Sequence, residues 1–92
     1  MTEIEKTLRE FGKDDVRYQL YKLESNGKSK VGQGATAIGD IFFFNHDDLV
    51  MVAIIRGYSE FLKTSPVIEI LKQEPKFIEF KTESNSIYKL SK

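Results

Sequence analysis

Thr64-Ser65-Pro66-Val67-Ile68-Glu69-Ile70-Leu71, Phe77-Ile78-Glu79-Phe80-Lys81-Thr82 and Asn85-Ser86-Ile87-Tyr88-Lys89-Leu90 decide the fold. Each run is rich in β-branched and aromatic residues, which suit a pleated, half-buried surface. Gln73-Glu74-Pro75 breaks the first from the second, and short polar turns between such runs mark hairpins. Three strands in an antiparallel meander are expected.

Working back from the tail, Leu49 to Ile55 is wholly apolar, and Ile41-Phe42-Phe43-Phe44 precedes it across the turn Asn45-His46-Asp47-Asp48. Neighbouring strand residues point to opposite faces. Both strands therefore carry large apolar groups on both faces, which requires cover from two sides. A helix can supply one cover. The other is a curled sheet or a second chain.

That helix is expected at residues 2–12. Thr2 and Glu5 have capping-box spacing, Ile4, Leu8 and Phe11 form one apolar stripe, and Gly12 stands where a left-handed stop belongs. Val16 to Leu20 alternates apolar with polar, then Tyr21 and Leu23 break the alternation, so strand and helix both stay open for residues 14–24. Asn26-Gly27 is a strong hairpin signal with a return strand near 28–32. The small-residue stretch 32–40 reads as a flexible loop.

The sum is an α+β chain, one domain over residues 1–92. An N-terminal helix precedes a strongly bent antiparallel sheet or small, partly open β-barrel of about five to six strands. The segments fall near 16–24, 28–32, 40–45, 49–56, 61–71, 77–82 and 86–90, with one of the first two absent or helical.

Composition narrows the function classes. Formal net charge is zero, whereas a phosphate-backbone binder usually carries a basic excess. Residues 31–60 are locally acidic, Arg56 standing against Asp40, Asp47, Asp48 and Glu60. Without cysteine there are no disulfide staples, which favours a cytoplasmic setting. The charged N-terminus is unlike a signal peptide, and the seven apolar residues from Leu49 to Ile55 fall short of the roughly 20 that a membrane helix needs.

No motif carries a reaction. Gly32-x-Gly34-x-x-Ala37 matches the letters of the dinucleotide fingerprint, but that motif needs a helix directly after it, and β-type residues follow within four positions. His46 is the sole histidine, and its neighbours Asp47 and Asp48 are too close in sequence to converge on a metal. No nucleophile elbow surrounds Ser29, Ser65, Ser84 or Ser86. Neither a catalytic residue nor a cofactor is expected.

Two surfaces remain. The first is a protein-contact strand with Phe42 and Phe44 beside the acidic Asp47 and Asp48, facing a protein partner or a second copy. An acidic turn beside aromatics also has the character of a nucleic-acid mimic toward a basic partner. The second interleaves Arg17, Tyr18, Tyr21 and Lys22, the pattern of a strand that stacks and clamps a single-stranded nucleic acid. The leading expectation is a non-enzymatic protein-interaction module; the alternative is a small single-strand-binding barrel.

Thr64-Ser65-x-Val67, Phe80-x-Thr82 and Asn85-Ser86-x-Tyr88-x-Leu90 resemble the C-terminal tails of small proteins from phages and mobile elements. The likeness covers about the last third of the chain. It implies such an origin, and with it an inhibitor of a host defence or regulatory protein. It assigns no functional residue.

Overall fold

The computed structural model describes residues 2–24, 34, 36–55 and 61–92. The Asn26-Gly27 hairpin and its return strand lie outside the described residues.

The chain opens with helix α1 (Glu3–Phe11). Thr2 caps it, its Oγ1 accepting the Glu5 N–H at 3.1 Å. The stop is not left-handed: Gly12 has φ −90° and donates its N–H to the Leu8 carbonyl. Glycine is needed here for proximity instead, because a Cβ at this position would meet the Phe43 ring at 2.6 Å.

Seven strands follow: β1 (Tyr18–Glu24), β2 (Thr36–His46), β3 (Leu49–Ile55), β4 (Phe61–Lys63), β5 (Val67–Gln73), β6 (Phe77–Thr82) and β7 (Ile87–Ser91). They form one antiparallel sheet in the order β4-β3-β2-β1-β7-β6-β5. The sheet is not closed, and it has more strands than the five to six expected. The meander is where the sequence placed it.

The extra strand comes from the segment 61–71. Chain continuity holds, but pairing changes partner within it. Thr64 N–H still bonds the Val52 carbonyl on β3, whereas the Pro66 carbonyl accepts from Glu83, just past β6. Pro66 has no N–H to give a ladder, and the Thr64 hydroxyl oxygen accepts the Val52 N–H at 3.1 Å. One run of chain thus serves as β4 on one edge of the sheet and β5 on the other. The four steps from Lys63 to Val67 span at most about 14 Å, so the sheet curls until its edges approach.

The strand-or-helix choice over 14–24 resolves as strand only from residue 18, with a bend over 14–16 ahead of it, and the flexible loop expected over 32–40 is overturned for 36–40, which are the first half of β2. The physical reason is a fit across the ladder. Tyr18 pairs Gly39 and Leu20 pairs Ala37, and Ala37 and Gly39 are buried. Small residues on β2 make room for large ones on β1.

The concave face holds the core, built from Tyr18, Leu20, Val50, Val52, Ile54, Ile78, Phe80 and Leu90, with Leu8 and Phe11 of α1 laid over it. Phe80 stacks on Tyr88 at 5.7 Å. The Tyr18 hydroxyl donates to the Phe11 carbonyl (3.0 Å) and accepts the Asp14 N–H (3.0 Å), tying the turn after α1 to β1. No helix among the described residues is long and apolar enough to cross a membrane.

Candidate functional site

β2 and β3 run side by side from Asp40↔Ile55 to His46↔Leu49. Alternation sends Ile41 and Phe43 toward the core, where they pack beside Val52 and Ile54. Asp40, Phe42, Phe44 and His46 point the other way, as do Met51, Ala53 and Ile55 across from them. β4 adds Phe61 opposite Ile55 and Lys63 opposite Ala53. Helix α1 covers the inner face, and the outer face is bare: Phe42 and Phe44 are each 45% exposed and Phe61 is 61% exposed.

Ala53 gives this face its relief. It points outward yet is 1% exposed, because it lies below taller neighbours. It is in the lining of a hollow of about 430 Å³, with Phe44, Met51, Ile55, Phe61 and Lys63 around it. Apolar walls with a few polar groups at the rim are the usual make-up of a contact pocket. Contiguous exposed apolar area of this kind marks an interaction site more often than chance solvent exposure.

A polar latch behind the face fixes β2 to the helix. Glu5 Oε2 accepts from Asn45 Nδ2 at 2.9 Å and from Arg9 Nε at 2.8 Å, and Arg9 also donates to Asn45 Oδ1 at 3.1 Å. Those bonds, from the Asn45 amide first, hold the Glu5 carboxyl below the usual range. The Arg9 guanidinium sits 5.5 Å from the Phe43 ring centroid. The strand carrying Phe42 and Phe44 is held from its inner side.

Asp47 and Asp48 form the turn at the end of the β2–β3 hairpin, with the pairs Asn45–Val50 and His46–Leu49 between it and Phe44. Asp47 has φ 55°, a left-handed value that aspartate tolerates. Both are fully on the surface. His46 Nε2 is 3.9 Å from Asp47 Oδ2, and both side chains are open to water. Among the described residues no group of three His, Cys, Asp or Glu side chains gathers to hold a metal.

The second expected surface does not assemble. Tyr18 is 1% exposed and Lys22 is fully buried, on the core side of β1. Lys22 Nζ lies 5.5 Å from the Tyr88 ring, and its burial lowers its pKa. Only Arg17 and Tyr21 reach the surface. The reason is the period of two: Tyr18, Leu20 and Lys22 share one face, and Leu20 is core. A stacking platform of all four residues is therefore corrected to a pair.

Met51 and Ala53 belong to the apolar run Leu49–Ile55 that the sequence already sets beside Phe42 and Phe44, whereas Phe61 and Lys63 carry no sequence signal for this face. Phe61 stood at the start of an expected strand with nothing local to place it beside Ile55. As the sequence implies, Gly34 and Ala37 do not lead into a helix; β2 runs where the dinucleotide fingerprint requires one. No family model, curated protein or solved structure matches the chain.

Proposed function

We propose that this chain is a non-enzymatic protein-interaction module whose contact surface is the outer face of β2, β3 and β4. The observation that carries the reading is the bare apolar face of Phe42, Phe44 and Phe61 on a well-held sheet. Aromatic residues supply much of the energy of protein interfaces, and covering a phenylalanine is worth roughly 1.5–3 kcal/mol. Paired strands present them with the backbone already ordered, which lowers the cost of binding. The partner is a second copy of this chain or, as the resemblance of the tail to phage and mobile-element proteins implies, a defence or regulatory protein of a host cell, with Asp47 and Asp48 at the rim to meet a basic group.

A photo-crosslinking amino acid in place of Phe44 tests the reading in living cells of the native host. Protein adducts are expected at position 44 and not at Lys81, which lies outside the face. Equal yields at both positions, or none at 44, would overturn it.

A further inference from the structure

The geometry points to a second copy of this chain as the occupant of the outer face, packed sheet to sheet about a two-fold axis that runs along β3. This inference rests on the reading of that face as a contact surface and names what covers it.

Size comes first. The three phenylalanines are 45%, 45% and 61% exposed; at about 150–250 Å² for a whole aromatic side chain, they present roughly 300 Å². A standard interface needs about 800 Å² per partner. The phenylalanines fill more than a third of it, as an apolar centre does, and the half-buried Met51 and Ile55 with the rim residues extend it.

Shape and charge come next. The face has the hollow floored by Ala53 over β3, where a two-fold axis sets it opposite its own copy, and Phe42 stands outside that hollow. It also carries both signs of charge, on opposite sides of β3. Asp40 is on β2, and Lys63 is on β4. A two-fold axis along β3 lays β2 of each copy over β4 of the other. Lys63 then comes over Phe42 of the second copy, one strand repeat from its Asp40. An ammonium over an aromatic face and beside a carboxylate is favourable twice over. Symmetry makes each contact occur twice. A formal net charge of zero leaves no long-range repulsion between copies.

Sedimentation equilibrium over a wide concentration range reads the outcome. The wild-type chain should rise to twice the monomer mass. Phe42→Asp should weaken association by about tenfold or more, with circular dichroism unchanged. Asp40→Lys and Lys63→Asp should each weaken it, and the double exchange should restore it. A wild-type chain that stays monomeric throughout overturns the dimer, and so does a Phe42→Asp chain as dimeric as wild type or a double exchange that restores nothing. Crosslinking at position 44 separates this failure from that of the reading below it. Adducts only to other proteins would end the dimer and keep the contact face; no adduct would end both.

Discussion

The meander β5–β6–β7 and the hairpin half β2–β3–β4 obey the same alternation, and their outer faces differ. On the meander, Glu79 pairs Lys89 across the strands. Its outward aromatic, Phe77, is covered by ammonium groups, Lys89 at 4.4 Å and Lys72 at 5.6 Å from the ring centroid. On the hairpin half, Phe42, Phe44 and Phe61 have Ala53, Met51 and Ile55 as cross-strand neighbours. The meander's exposed apolar residues are Ile68 and Leu71, set apart at the two register shifts of the edge strand β5, whereas those of the hairpin half are grouped on one face. Both halves share one core, so the bare face is a property of its own outward residues and not of a poorly formed sheet.

Substitution on the two sides of the sheet should break the symmetry most strongly. Phe80→Ala, inside the meander, should cost about 3–5 kcal/mol through the cavity it leaves. Phe42→Ala, on the outer face, should cost no more than about 1 kcal/mol. Chemical denaturation of the two variants measures the contrast. Similar losses would mean that Phe42 is part of the core.

The next effect concerns how the helix holds β2. Gly12→Ala pushes a methyl group into the Phe43 ring. The ring must swing outward, at about 1 kcal/mol, seen as a lower melting temperature. Hydrogen exchange should speed up along β2 before it does along β6 and β7.

Acid should act on the same attachment, more mildly. The folded pKa of Glu5 is lowered by Asn45 and Arg9. Such a group contributes stability above its unfolded value, near 4.3, and loses it as pH falls through the lowered folded value. Asp14, held down by Lys92 at 2.7 Å, has the same sign. Unfolding measured from pH 7 to pH 3 should show a loss in wild type, and Glu5→Gln should shrink the acid-dependent part and leave the Asp14 share.

The smallest effect sharpens the comparison from the meander side. Lys89→Gln removes the nearer cation from Phe77. Stability should fall by about 0.5 kcal/mol, and fluorescence of an apolar dye should rise as the ring is uncovered.

Much of this was legible in the chain. The meander runs carry their own alternation and turns, and α1 carries its Thr2 cap and its Leu8–Phe11 stripe. What stayed hidden depends on partners distant in sequence. Ala37 and Gly39 read as loop until Leu20 and Tyr18 are set opposite them. The change of partner at Thr64–Pro66 exists only because β3 and β6 are both within reach. The burial of Tyr18 and Lys22 was available from the period of two once β1 was known to be a strand. Phe42 and Phe44 were singled out from sequence; Phe61, which completes their face, needed the register of β4.

The most direct test is hydroxyl-radical footprinting of the purified chain at rising concentration. Oxidation of Phe42, Phe44, Phe61 and Met51 should fall together as association proceeds, while Phe77 and Tyr21 keep a constant rate. Rates at the four outer-face residues that do not change with concentration, or that fall in step with Phe77, would contradict the account.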